Sequence, residues 1–377
     1  MENKREIIDQ YTKNLIVEDG KSILDCFYGL SDSGILLAVI FLLMPYIALY
    51  CEEAEKYLKE KGELAEIIVD KETKEVAGNL RNILKTFTQE NRKTIKKVKE
   101  ICLKEDQRYY ELDGLFHMNL GVFLTSDKKI ISNSHMMFFD REKLFYKPDN
   151  EIKLIANITG ERLGIFVRKI LGHFNVYYER RENKANIEAG HFDTNIFWPR
   201  NFIKYSNELT LPYCMELLHL LSFLGFSNNI VSKIMAVENL WAFRLRYTIV
   251  HMVIRALGEL KKKIATEPLN NEELSNQLKP LSKEEIINFG KNTVISSTFR
   301  SCMMHYSFYN KDRLSIEEKY IDCEKPFCGL VESCFQKSFA EYNAELIEFS
   351  LRLESLLLQF FNIDENAIEW DLGGGTE

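Results

Sequence analysis

Apolar and polar positions alternate along this chain in ways that predict helices for most of its length. The densest apolar text runs from Gly34 to Tyr50, Gly-Ile-Leu-Leu-Ala-Val-Ile-Phe-Leu-Leu-Met-Pro-Tyr-Ile-Ala-Leu-Tyr. It passes abruptly into the polar stretch Glu52 to Lys61. A helix that changes from all-apolar to polar has one end enclosed and the other in solvent. A membrane span takes about twenty apolar residues. This run is shorter and carries Pro45, so the expectation is a helix buried on all sides or at a subunit contact. Membrane association is the alternative. At the other end of the chain, Phe339, Tyr342, Leu346, Phe349, Leu353, Leu356 and Phe360 follow one another at spacings of three and four. That seam marks a helix packed in a bundle or against a partner. It opens on Ser338-Phe339-Ala340-Glu341, a serine cap with glutamate three positions on.

Between these ends the text divides the chain. Residues 1–108 read as an N-terminal helical region: a short helix, a loop around Gly20 and Asp32–Gly34, the apolar helix, then a basic helical stretch to Arg108. Arg81, Lys85, Arg92, Lys93, Lys96, Lys97, Lys99 and Lys104 crowd that stretch. Such a run is a solvated face or a track for a phosphate backbone; Arg92, Lys93, Lys96 and Lys97 are the RNA-binding candidates. Residues 109–206 read as a mixed connector or insertion, because glycines, serines and short alternating runs such as Gly121-Val122-Phe123-Leu124 favour strands over helix. Residues 207–364 read as an antiparallel helical domain. Pro212 suits a first turn, and Asn228 to Ile264 reads as one long helix. Ser282-Lys283-Glu284-Glu285 is a second capping box, opening a helix that leads to Arg300, and Phe327 to Gln336 is a short helix. Residues 365–377 read as a flexible tail. The fold class is thus mainly α, with a small irregular or β-containing insertion.

Composition narrows the function classes. The 377 residues are 46% hydrophobic and 28% charged, with only seven prolines and eighteen glycines, as a globular helical protein requires. A net charge of -7 excludes a wholly basic nucleic-acid coat, so any RNA contact must be a local patch. The first thirty residues lack the basic start and apolar middle of a secretory signal, which points to a cytoplasmic protein. The eight cysteines show no paired framework, and reduced thiols are expected. Cys323, Cys328 and Cys334 are close in sequence but lack the C-x-x-C form of a zinc site, so no metal is expected.

Arginine and histidine supply the pointed chemistry. Arginine binds phosphate through a planar fork of donors, and histidine exchanges a proton near neutral pH. The spacing R-x4-H occurs at Arg168/His173, Arg246/His251 and Arg300/His305. Sixteen arginines and seven histidines would give roughly 0.3 such pairs by chance, and short motifs carry that risk, so context has to separate the three. Arg168/His173 ends a helix beside Gly172. Arg246/His251 lies inside an apolar helix, where histidine is usually a core residue; it is the secondary candidate. Arg300/His305 closes a helix and is followed by a loop and the seamed helix. Side chains five apart on a helix are offset by about 140°, so the two would flank a groove or meet a second copy.

Phe299-Arg300-Ser301-Cys302-Met303-Met304-His305-Tyr306 resembles the R-x4-6-H signature of the HEPN superfamily. Pro326-Phe327-Cys328-Gly329-Leu330-Val331-Glu332 and the last helix are similar to the tail of such domains. The likeness covers roughly residues 207–364. It implies an all-α bundle and a metal-independent, cofactor-free ribonuclease of the toxin–antitoxin or phage-defence kind. Arg300 and His305 would be the catalytic pair, with Ser301 and Tyr306 in support. The position after the arginine is often asparagine, aspartate or histidine in active members and is serine here. The likeness also implies a homodimer and an antitoxin or defence-system partner protein. The alternative is an inactive bundle of the same type that binds protein or RNA.

Overall fold

The computed structural model describes residues 2–63, 69–86, 120–136, 152–180, 182, 185–194, 202–204, 211–266, 296–310 and 313–372. Arg92, Lys93, Lys96, Lys97, the Ser282 capping box and the last five residues lie outside them. The described chain is mainly helical with a small antiparallel sheet.

The apolar run forms the centre of the first half. Helix α1 spans Glu2–Asp32, α2 spans Leu36–Glu60 and α3 spans Lys71–Thr86. Helix α4 spans Ile152–His173. Helix α2 packs against α1, α3 and α4, which encloses Val39, Leu42, Leu43 and Met44 completely. Each such side chain taken out of water contributes about 1.5–3 kcal/mol. Pro45 sits inside α2 without ending it. The expected loop at Gly20 is instead the middle of a 31-residue helix. A Cβ at Gly20 would run into the Tyr50 hydroxyl and Leu171, so glycine is there for close packing of α1 on α2 and α4. The Tyr50 hydroxyl donates to the Ile16 carbonyl at 3.1 Å across that contact.

Strands β1 (Leu120–Thr125), β2 (Ile130–Asn133), β3 (Ala189–Thr194) and β6 (Glu369–Leu372) form one sheet in the order β2-β1-β3-β6. All three pairings are antiparallel, and in β1–β3 Leu120 lies opposite Thr194 and Thr125 opposite Ala189. The short strands expected near Gly121 and Ile130 are therefore present. The flexible tail is corrected at residues 365–372: a 3-10 turn at Glu365–Ala367 leads into β6, which pairs with β3.

Helix α5 (Leu211–Gly225) lies on β2, and Gly225 touches the Ile130 carbonyl so closely that no Cβ would fit. A π-helical stretch, Phe226–Val231, and a short turn of helix, Ser232–Ile234, continue it. The chain then breaks before α6 (Leu240–Thr266), so the single helix expected from Asn228 to Ile264 is two. Asn239 makes the break: its side chain accepts from the Ala242 amide at 2.9 Å, as an N-cap does. The π-helical turn presents Asn228 and Asn229, whose amides donate to the buried carboxylate of Glu354 at 2.8 and 2.7 Å.

Helix α7 spans Ser297–Met304, the hairpin β4–β5 joins Tyr309–Asn310 to Arg313–Leu314, α8 spans Leu330–Phe335 and α9 spans Phe339–Leu358. The capping box at Ser338/Glu341 is formed as read, and Tyr342, Leu346, Phe349, Leu353 and Leu357 are buried against α5 and α6. The short helix expected from Phe327 begins instead with a 3-10 turn, Pro326–Gly329, in which Phe327, Cys328 and Gly329 have positive φ. Cys323 and Cys328 are joined there by a disulfide, which corrects the expectation of unpaired thiols. Among the described residues, two helical segments, Leu36–Glu60 and Leu211–Ile234, are long and apolar enough to cross a membrane, and most of each is buried within the chain.

Candidate active site

Helix α7 carries the Arg300 motif and is short because its ends are fixed. Ser296 caps it, its hydroxyl accepting from the Phe299 amide at 3.2 Å. At the other end Arg244 of α6 donates from Nε and Nη2 to the Met303 carbonyl at 3.0 and 2.9 Å. A buried cation there satisfies the last carbonyls and suits the negative end of the helix. Arg244 also pairs with the buried Asp19 of α1 and lies 4.3 Å from the centre of the Tyr306 ring. The Tyr306 hydroxyl donates to Asp19 at 2.5 Å. Burial pushes the Asp19 carboxyl above its usual range, against the pull of Arg244 and Tyr306. Tyr306 is thus an anchor, and the Asp19–Arg244–Tyr306 network holds the backbone on either side of His305.

His305 itself terminates the helix with extended backbone (φ -128, ψ 149). That bend turns it away from Arg300. Its Nδ1 is 2.6 Å from Glu53 Oε2 of α2. Glu53 is buried and also bonded to Arg81 of α3, which in turn reaches Glu52 at 2.8 Å. Burial alone would raise the Glu53 carboxyl, but His305, Arg81 and Lys56 together hold it below its usual range. An ionised carboxylate only accepts hydrogen bonds, so Nδ1 carries the proton and Nε2 keeps a free lone pair when the ring is neutral.

His305 lines a cleft of about 430 Å³ between α1, α2 and the β4 segment, together with Ser301, Ser307, Lys56, Arg5 and Asp9. Lys56 and Arg5 have no ion-pair partner among the described residues, whereas Lys61 at the same cleft is paired with Asp9 at 2.5 Å. The cleft therefore combines an oriented imidazole with Lys56, which helps hold Glu53 ionised, and Arg5, which lies 5.1 Å over the Tyr309 ring; the Asp9 and Glu60 carboxylates line it too.

Arg300 does not line this cleft. Helix α7 packs on α6 through Phe299, whose ring lies 4.9 Å from Tyr247. Half-buried Arg300 lies within electrostatic reach of Tyr247, His251 and Arg255. Burial and the Arg255 charge lower its guanidinium from the ordinary value. Burial first, then Arg300 and Arg255, push His251 down to about 3. The Arg300/His305 pair is split: Arg300 lies within electrostatic reach of His251, while His305 stands with Glu53. Arg246 is buried, and its Nε and Nη1 make no hydrogen bond to a described residue. Arg168 bonds the Tyr28 hydroxyl, and His173 lies 3.8 Å from Glu63. Arg81, read as part of a basic run, is committed to Glu52 and Glu53 rather than left for a phosphate.

Glu53, Lys56 and Arg5 were not singled out by the sequence reading. Glu53 had a signal: it continues the buried spacing Tyr46, Tyr50, Glu53, Tyr57 along α2, and a charge at a core position requires a partner. Among the described residues no group of three or more histidines, cysteines and carboxylates could hold a metal ion. No family model, curated protein or solved structure matches the chain.

Proposed function

We propose that the protein is a metal-independent RNA endonuclease of the HEPN type, acting as a toxin or phage-defence effector, with His305 as its acid–base group. The observation that carries this reading is the 2.6 Å contact between His305 Nδ1 and the buried Glu53 at the wall of a cleft that also holds Lys56 and Arg5. A carboxylate that fixes the tautomer of a histidine leaves the other ring nitrogen ready to take a proton.

In the proposed reaction His305 Nε2 removes the proton from a ribose 2′-hydroxyl. The 2′-oxygen bonds to phosphorus, the bond from phosphorus to the 5′-oxygen breaks, and that oxygen takes up a proton from imidazolium or water. The products are a 2′,3′-cyclic phosphate and a 5′-hydroxyl end. Lys56 and Arg5 steady the charge that builds on the phosphoryl oxygens. Arg300, with Arg255, holds RNA phosphate on the neighbouring face, each guanidinium offering its fork of donors to an anion. Purified protein incubated with RNA in EDTA tests this: cleavage by the parent and none by His305→Ala is expected, and equal cleavage by the variant refutes it.

The separation of Arg300 from His305 favours a second reading, an inactive bundle that binds RNA or a protein partner. Intact RNA with a gel shift in the same experiment would select it.

A further inference from the structure

Helix α4 presents a stripe that its own fold does not use. Leu154, Ile158, Glu161, Ile165 and Arg168 follow at spacings of four and three, and all five are exposed. Leu154, Ile158 and Ile165 keep 46%, 41% and 41% of their surface in solvent. Three large aliphatic side chains in line on one helix form a seam rather than scattered surface residues.

A groove runs along each side of this ridge. One, of about 400 Å³, is mostly apolar and lies between α1, α2 and α4, with Phe27, Ile40, Gly160 and Gly164 in its wall. The other, of about 640 Å³, lies beyond Ile165 and is closed by Gly172, Val176 and Tyr177. Gly164 leaves the first groove open, since a Cβ there would meet nothing within 4 Å. Tyr177 is 96% exposed. A ridge flanked by grooves is the shape that packs onto another helix.

The charges choose the occupant. Glu161 and Arg168 lie on the stripe seven residues apart; Arg168 also donates to the Tyr28 hydroxyl, and neither has an ion-pair partner among the described residues. The midpoint between them falls between Gly164 and Ile165. If two copies of α4 cross antiparallel about that point, Glu161 of each faces Arg168 of the other, and Ile165 of each sits over Gly164 of the other. Leu154 then reaches the Val176–Tyr177 end of the opposite groove. A two-fold contact must be self-complementary in this way.

We propose that two copies of this chain pair through α4, antiparallel and two-fold about Gly164–Ile165, with Ile165 of each seated in the other's apolar groove. The likeness in the sequence implies a homodimer; this inference assigns it a face on α4, which carries neither Arg300 nor His305, and does not depend on whether His305 is catalytic.

Charge exchange tests it on the full chain. Sedimentation velocity at a concentration on the order of 10 μM should show the parent at twice the mass of the single chain. Glu161→Arg alone and Arg168→Glu alone each set like charges opposite one another and should weaken the dimer at least about tenfold. The double variant Glu161→Arg/Arg168→Glu restores opposite charges and should dimerise like the parent, which a folding defect would not allow. A monomeric parent, a dimer indifferent to either single exchange, or a double variant that stays apart overturns the proposal. So does a parent that stays monomeric and floats instead with phosphatidylcholine vesicles. Any of these leaves the RNA-cleavage test of His305→Ala standing on its own result.

Discussion

Replacing Asp19 with asparagine should separate anchoring of the site from its chemistry. Asp19 and Arg244 are 1% and 7% exposed, and Tyr306 is 3% exposed, so the network is out of water. Asp19→Asn keeps the size of the side chain but removes its charge, leaving the Arg244 guanidinium buried without an ionic partner. Breaking a buried pair from one side costs about 3–5 kcal/mol. Unfolding entropy of about 2.1 cal/mol/K per residue gives roughly 0.8 kcal/mol/K for a chain of this length, so the midpoint should fall by about 4–6 °C. Tyr306→Phe removes one hydrogen bond and should cost only about 1.5–3 kcal/mol. Removing both charges together, Asp19→Leu with Arg244→Met, should be far milder than Asp19→Asn, within about 2 kcal/mol of the parent. Urea unfolding of the four proteins measures this. If Asp19→Asn lies within about 1 kcal/mol of the parent, as an exposed pair would, the network is not what holds the His305 segment.

Other expectations concern the charges around the two motif halves. Glu53→Gln should lower RNA cleavage by at least about tenfold, because an amide can offer its N–H to Nδ1 and favour the wrong tautomer; a single-turnover rate comparison decides it. The Glu53 carboxyl is held below its ordinary value of 4.5 in the folded chain, so the stability it confers is present above that value and is lost as pH falls through the lower folded one. Parent and Glu53→Gln should therefore converge in urea unfolding as the pH drops below 4.5. His251 is held near 3 against an ordinary 6.5; its depressed folded value leaves stability unchanged above 6.5 and destabilises the fold progressively as pH falls from 6.5 towards 3. Nuclear magnetic resonance should find the ring neutral from about pH 5 to 8, and Arg300→Ala should move its titration upward. Arg255→Gln should weaken RNA binding at low salt and flatten its salt dependence by about one unit of slope, read by fluorescence anisotropy.

What the text of the chain disclosed was periodicity. The apolar run of α2 and the three-four seam of α9 are local patterns whose meaning, a face out of water, does not depend on the partner. The cap at Ser338 is local too. Gly20 misled because its freedom is irrelevant in α1; what matters is the space taken by Tyr50 and Leu171, which come from distant parts of the chain. The break before Leu240 depended on Asn239 acting as a cap within an otherwise continuous helical pattern. Strand β6 is four residues long and finds its partner far upstream, with Leu372 opposite Ala189, 183 positions away in sequence. The site shows the same division. Arg300 and His305 are legible as residue types, but the bend at His305 and its contact with Glu53, 252 positions distant, belong to tertiary packing.

The account rests on a histidine that moves protons during RNA cleavage, and end-group analysis of the cleaved RNA in EDTA reports on that chemistry directly. Parent protein should leave 2′,3′-cyclic phosphate and 5′-hydroxyl ends, should spare a substrate carrying 2′-deoxyribose at the cut position, and should lose both products on His305→Ala. Cleavage of the deoxy substrate at the same rate, or the same products from His305→Ala, would contradict it.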